Sequence, residues 1–264
     1  MEIARAVDVT VISKAARILD AFTVQRPKIS LGELSSITGL TPSTALRRAD
    51  DLLRAGLLTR DTTGRYAIGS ALQRIAMCAP TGVNLIEVAQ PVMQELFLRT
   101  RYDVGLVVRE GMAGLVVARM FGSAGLPMMY TVGSSIPLHA TGSGLALLAN
   151  SSGSDQQEIL DGPLPALTPY TCTDPDALRT LLARVRERGY VQSDRGADPS
   201  AAAIGAPILD SGGHAIAGLS VVFRHGDGPL QALTETTRAA SRAISRALGA
   251  PERRADLPVA DCRF

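Results

Sequence analysis

A chain of 264 residues exceeds what one ordinary core needs, and with 46% hydrophobic and 20% charged residues it can bury cores and is not disordered throughout, so two domains are the first expectation. No apolar run reaches the roughly 18 residues of a membrane span, and Met1–Val9 carries charges where a secretory segment would be apolar, so a soluble, cytoplasmic protein is expected. The net charge of +2 divides unevenly: residues 1–80 hold 11 basic against 7 acidic side chains and the remainder 16 against 18, which fits a nucleic-acid-binding module joined to something else.

In chain order, residues 13–22 place Ala15, Ile18, Leu19 and Phe22 on one helical face, with Ser13 as the N-cap. Past Pro27, Ser30 caps a short second helix whose Leu31, Leu34 and Ile37 face inward, and Gly39 stops it where a sharp turn needs positive φ. Thr41 caps the third helix with Pro42 at its first position, and the helix runs to about Ala55 and ends at Gly56. Leu57–Arg60, the polar turn Asp61–Gly64 and Arg65–Ile68 read as a hairpin. Three helices with a tight turn before the third, followed by a two-stranded wing, make a winged helix-turn-helix, whose last helix enters a major groove of duplex DNA. A small helical subdomain serving only packing is the alternative.

Residues 70–79 read as helix, broken by Pro80-Thr81-Gly82, and helix resumes near Asn84 to about Arg99 with Leu85, Val88, Val92, Leu96 and Phe97 apolar. Strands are expected at Val104–Arg109, Gly114–Met120 and Met128–Val132, then helices at Gly142–Ala149, Asp155–Leu160 and Pro175–Arg188. Strands at Gly189–Ser193, Ala202–Leu209 and Ala215–Arg224 precede a last helix from about Leu230 to Leu248. Short turns between strands and helices in blocks mark an α+β domain with a mainly antiparallel sheet. The expected domains are residues 10–69, a linker helix at 70–83, a second domain at 84–249 and a disordered tail at 250–264.

Three stretches carry a resemblance to a known family. They are SLGELSSITGLTPSTALRRADDLLRAGLLTR in the winged-helix block, GSSIPLHATGSGLALLA at 133–149, and GYVQSDRGADPSAAAIGAPILDSGGHAIAGLSVVF at 189–223. Together and in this order they resemble the IclR family of bacterial transcription regulators over roughly residues 10–249. The resemblance implies a profilin/GAF-like effector-binding domain behind the DNA-binding domain. It also implies a homodimer joined through the N-terminal domains, commonly paired again into a tetramer, a dimer of dimers.

For the duplex operator, Ala45, Ala49 and Leu52 form the inward stripe of the third helix, which leaves Ser43, Thr44, Arg47 and Leu46 toward the groove. Arg47 suits a guanine bidentately, and Ser43 and Thr44 at the helix start suit phosphate. Arg65 on the wing, with Arg60 nearby, suits the backbone or minor groove. Arg48 stands where the family tends to have an apolar residue, and either adds a phosphate contact or snorkels past the bundle.

For the effector, Thr141 caps a helix whose first amides can hold a carboxylate. The resemblance maps the family's backbone donors onto Gly142 and Ser143, and its side-chain ligands, commonly an Asp, a Cys and a pair of Ser, onto Ser193, Ala203, Ser220 and Val222. Only one of those four keeps its type, and Arg195 and Gly196 replace two acids. The pocket is therefore expected to be less polar than one for a glyoxylate-sized ligand. An aromatic acid, a lactone-like metabolite or a bulkier apolar compound fits, with Arg195 as carboxylate partner.

Catalysis is the rival class. Ser143 or Ser220, His139 or His214, and Asp194 or Asp210 supply the residue types of a triad, but no G-x-S-x-G elbow or phosphate-binding loop appears. Cys78, Cys172 and Cys262 lie far apart, with no CxxC and no nearby His pair, so no disulfide framework, metal site or cofactor is expected. The expected function is an operator-binding regulator modulated by a small organic effector, and not an enzyme. The alternative is a ligand-independent DNA-binding protein whose second domain only oligomerises.

Overall fold

The first helix, α1 (Val11–Asp20), starts earlier than its apolar face suggests, because Thr10 is the cap: its hydroxyl accepts the Ser13 N–H at 3.1 Å. Ser13 therefore lies inside the first turn and is not the N-cap, and the helix ends before Phe22. The structure is a computed structural model describing residues 10–23, 26–76, 82–122 and 130–251. It divides into two compact units between Val83 and Asn84.

In the first unit a two-residue strand, β1 (Lys28–Ile29), leads into α2 (Leu31–Thr38). Ser30 and Glu33 form a capping box there, the Ser30 N–H donating to Glu33 Oε2 at 2.7 Å. The buried stripe of α2 is Leu34 and Thr38, four apart, so Ile37 is turned outward and is 41% exposed, contrary to expectation. Gly39 ends the helix at φ 64°. Next, α3 (Pro42–Arg54) is capped by Thr41 and buries Ala45, Ala49 and Leu52. The wing strands β2 (Leu58–Arg60) and β3 (Tyr66–Ile68) make an antiparallel sheet of order β1-β3-β2, so the wing has a third strand that its sequence does not announce. Ile18, Ile29, Leu34, Ala45, Ala49, Leu58 and Tyr66 share one core. A short α4 (Ser70–Ala76) follows, and the remainder of the helix expected to residue 79 lies outside the described residues.

The second unit opens with α5 (Gly82–Thr100) and continues through β4 (Asp103–Glu110), β5 (Ala113–Met120) and β6 (Ser135–Pro137). Helices α6 (Gly142–Ala149), α7 (Gly153–Asp161) and α8 (Pro175–Arg188) come next. Strands β7 (Val191–Asp194), β8 (Ala201–Leu209) and β9 (Ala215–Arg224) precede α9 (Leu230–Ala247). The six-stranded sheet has order β6-β5-β4-β9-β8-β7 with every pairing antiparallel. The strand expected at Met128–Val132 is not formed at 130–132, while 128–129 lie outside the described residues. The Ser134 N–H donates to the Thr131 carbonyl and Gly133 takes φ 85°, so the chain turns there and pairs only afterwards, at β6. Most of the expected tail, 252–264, also lies outside the described residues.

Period-2 alternation divides the sheet into two faces. Ile204 and Ile208 of β8 and Ala217, Leu219 and Val221 of β9 pack with Leu85, Ala89, Met93 and Leu96 of α5 and Leu233 and Ile244 of α9. On the opposite face lie Ala203 and Gly205 of β8 and Gly218, Ser220 and Val222 of β9, under the start of α6. A Cβ at Gly205 would collide with the Gly142 carbonyl oxygen, and one at Gly218 with that of Ser143. These two glycines let the first turn of α6 rest on bare strand backbone. Behind it, Leu145, Leu147 and Leu148 form a second core with Leu160 of α7 and Leu178 and Leu182 of α8. Among the described residues no helix is long and apolar enough to cross a membrane.

Candidate functional site

Two places carry chemistry. The first is the outer face of α3, where Ser43, Leu46 and Arg47 are exposed and Thr44 is half-buried. The Thr41 hydroxyl accepts the Thr44 N–H and donates to Thr44 Oγ1 at 2.9 Å, which fixes the first turn. Arg47 has no acid partner among the described residues, so its planar fork is available to a guanine edge. Arg48 does not share that face. It is buried, with Nη1 on Asp51 Oδ2 at 2.6 Å and Nε without a partner, so its expected phosphate contact is corrected: it snorkels against the bundle. One helix position, about 100° of rotation, separates a groove-facing cation from a packed one.

The wing arginines are partly engaged within the unit. Arg60 Nε donates to the Gly64 carbonyl at 3.0 Å, and its guanidinium lies 5.2 Å from the Tyr66 ring centroid. Arg65 Nη2 donates to the Lys28 carbonyl and to Glu33 Oε2, each at 3.0 Å, tying the wing to β1 and α2. Glu33 is held below the usual carboxylate range, first by the Ser30 hydrogen bonds and then by Arg65. Both arginines remain partly solvent-facing, so a phosphate would share them with their internal partners.

The second place is a cavity of about 110 Å³ between the open face of the sheet and the start of α6. Thr141 caps the Gly144 N–H at 3.2 Å, leaving Gly142 and Ser143 as helix-start donors at the cavity wall. The Ser143 and Ser220 side chains are buried there, and neither hydroxyl has a hydrogen-bond partner among the described residues. Ser193 lines the wall too, its hydroxyl 3.4 Å from the Ala140 carbonyl. Gly105, Val107, Val116, Ile136, Ala203 and Val222 supply the apolar surface.

One ion pair belongs to this wall. Leu106 pairs with Ala118 but Val107 pairs with Val116, so Val117 is an extra residue, a β-bulge in β5. The bulge brings Val116 and Arg119, three apart, onto the same face. Arg119 Nη2 lies 2.6 Å from Asp103 Oδ2, and Nη1 donates to the Tyr130 carbonyl, while Asp103 Oδ1 accepts the Gly122 N–H. Burial and the nearby Asp198 charge push the Tyr130 phenol up. The cavity thus offers helix-start amides and hydroxyls at one wall, an aliphatic middle, and a neutralised guanidinium at another.

Residues 11–62 match the IclR helix-turn-helix domain, and residues 78–246 match the family described as bacterial transcriptional regulator IclR C-terminal. The chain belongs to the IclR family. It is similar to the HTH-type transcriptional regulator BhcR of Paracoccus denitrificans (strain Pd 1222), at 30% identity over 89% of this chain and 85% of that protein. It is also similar to KipR of Bacillus subtilis (strain 168), at 27% identity over 90% of this chain and 96% of that one. Among solved structures it resembles an IclR homolog from Microbacterium hydrocarbonoxydans complexed with 4-hydroxybenzoate. That likeness has a TM-score of 0.84 and 31% identity, covering 90% of this chain and 99% of that chain. The protein is a DNA-binding transcriptional regulator of the IclR type, and such regulators are not enzymes.

Against this IclR frame the expected effector residues divide. Gly142, Ser143, Ser193, Ala203, Ser220 and Val222 all line the one cavity. Arg195 does not, and its role as carboxylate partner is corrected. At φ 57° the chain turns its side chain outward, where the guanidinium stacks 3.7 Å from the Tyr170 centroid and pairs with Asp194. The cation in the wall is Arg119, which sequence reasoning missed along with Asp103, Tyr130 and Asp198. Strict alternation along β5 from Val116 would have pointed Ala118 and Met120 inward and Arg119 away; only the bulge reverses this. The triad alternative finds no geometry: His139 Nε2 faces the Pro165 carbonyl at 3.1 Å, His214 is exposed, and neither serine hydroxyl meets a histidine.

Proposed function

We propose that residues 10–69 bind a duplex operator through α3 and the wing, and that a small aromatic carboxylate seated in the cavity of residues 84–249 modulates that binding. Arg47 reads a base edge from α3, with Ser43, Thr44 and Leu46 around it, while Arg60 and Arg65 meet the backbone at the wing. The regulator acts as a homodimer, and as a dimer of dimers, in the cytoplasm.

The observation that carries the ligand reading is the pair of cavity-facing hydroxyls without protein partners among the described residues, Ser143 and Ser220, beside the helix-start amides of α6. Both hydroxyls open onto the cavity, and a carboxylate laid on this helix start can accept from them together. At about 110 Å³ the cavity is somewhat smaller than the roughly 150 Å³ that holds a benzene ring, so a single-ring acid is the upper size and needs a small outward shift of the wall. The Microbacterium hydrocarbonoxydans homolog carries 4-hydroxybenzoate, a molecule of this class. A ligand alters operator affinity only through unequal binding to the DNA-competent and incompetent arrangements.

The test is a thermal-shift series with single-ring acids, followed by operator binding with and without each stabilising compound. A ligand at 100 times its Kd stabilises the native state by about 2.7 kcal/mol. If no acid shifts melting or operator affinity, the second unit only assembles subunits and the sensing claim fails.

A further inference from the structure

We propose that Asp103 sets the charge the cavity accepts: by neutralising Arg119 it restricts the ligand to a single carboxylate with an uncharged hydroxyl at the far end, and it excludes dianions. The inference rests on the reading of the cavity as a small-molecule site and adds which molecules enter it.

The wall holds two carboxylates, Asp103 and Asp198, against one guanidinium, Arg119. Asp103 and Arg119 are both close to fully buried, with side-chain exposures of 9% and 11%. Their 2.6 Å contact is therefore poorly screened, and Arg119 offers a ligand no uncompensated charge. Among the described residues of the wall, the other positive field is the start of α6, worth about half an elementary charge. One ligand carboxylate is matched there. A second would lie among Asp103, Asp198 and an arginine already paired.

A hydroxyl meets no such conflict. Arg119 has five N–H groups and spends one on Asp103 and one on the Tyr130 carbonyl, so donors remain for a hydroxyl oxygen. The proton of that hydroxyl has an acceptor in Asp198, whose Oδ1 takes the Ser200 N–H and hydroxyl at 2.6 Å each while Oδ2 has no partner among the described residues. Register gives the span. Asp103 pairs with Val222 and Val222 with Ala203, against which the Gly142 position of α6 packs, so Asp103 stands two strands across from the helix start. At the usual strand spacing this is on the order of 10 Å, which suits one ring bearing groups at opposite ends.

The experiment is calorimetric binding of benzoate, 4-hydroxybenzoate and terephthalate to the full chain and to its Asp103→Asn variant. The unmodified chain is expected to bind 4-hydroxybenzoate about tenfold more tightly than benzoate, and terephthalate about 100-fold more weakly than 4-hydroxybenzoate, because like charges brought together are strongly disfavoured. Asp103→Asn frees Arg119 and should raise terephthalate relative to 4-hydroxybenzoate by at least about tenfold. Equal affinity for terephthalate and 4-hydroxybenzoate in the unmodified chain overturns the inference, as does an unchanged ratio in a folded Asp103→Asn. Should that variant fail to fold, the ratios in the unmodified chain decide alone. Benzoate binding with no preference for the hydroxyl leaves the small-molecule reading standing and sinks this inference; absence of binding by all three acids sinks both.

Discussion

The outer face of α3 and the cavity beneath α6 are built on opposite plans. The first comes from consecutive turns of one helix, held by a cap at Thr41 and a stripe at Ala45, Ala49 and Leu52. The second is assembled from all six strands of the sheet, the start of α6 and the loop through Asp198, segments up to 119 residues apart between Asp103 and Val222. Exposed residues on α3 can change their DNA contacts without touching the core. Cavity residues are part of the packing, so altering ligand recognition there also alters stability. A regulator built this way can drift in operator preference more freely than in ligand preference.

The hardest blow to that contrast falls on the cavity. Gly218→Ala places a methyl against the Ser143 carbonyl and should cost roughly 3 kcal/mol of stability, the upper end for overpacking, while abolishing ligand binding. Thermal melting with and without ligand checks both. On α3, Arg47→Ala should lose about 2 kcal/mol of discrimination between operator and random duplex yet leave melting unchanged. An equal loss on both duplexes would remove Arg47 from base reading. Thr41→Ala, which deletes the cap, should cost about 1 kcal/mol of stability in the first unit, read by denaturant unfolding.

A smaller effect separates the units by pH. Burial pushes His139 below its usual range, opposed in part by its bond to the Pro165 carbonyl. Between that lowered pKa and about 6.5 the unfolded chain binds the extra proton, so stability rises with pH across this window and falls on acidification. Melting curves from pH 7 to pH 5 should show the loss in the second unit, and His139→Asn should flatten it. The smallest expectation is for Arg48→Met: a buried side chain cannot be a phosphate contact, so operator affinity should stay within about twofold in a duplex titration.

How much could be read in advance follows the same division. Local chemistry marked α3 and α6 by Thr41-Pro42 and Thr141, whose caps are where those residues sit, and the start of α8 by Pro175; its cap, Asp174, is shown by the structure. Strand β9 was legible because its alternation holds from Ala217 to Phe223, although Ile216 is an extra residue near its start. Ser13 was mistaken for a cap because Thr10, the true one, precedes the apolar face it starts. β1 escaped notice because two residues carry no periodicity. Within the cavity, the positions aligned from the family's motifs did converge, but its one ion pair was invisible. Nothing at Val117 marks a bulge, and the bulge alone turns Arg119 inward to Asp103. Arg195 looked equally suitable in the sequence, and a single positive φ sends it to Tyr170 instead.

The account stands most directly on the coupling between its two sites. The measurement is the affinity of the protein for a duplex it selects from random DNA, with and without saturating 4-hydroxybenzoate, paired with 4-hydroxybenzoate affinity with and without that duplex. Linkage requires the same factor in both directions, and the account predicts one of about fivefold or more. A ligand that binds tightly while leaving DNA affinity unchanged would contradict it.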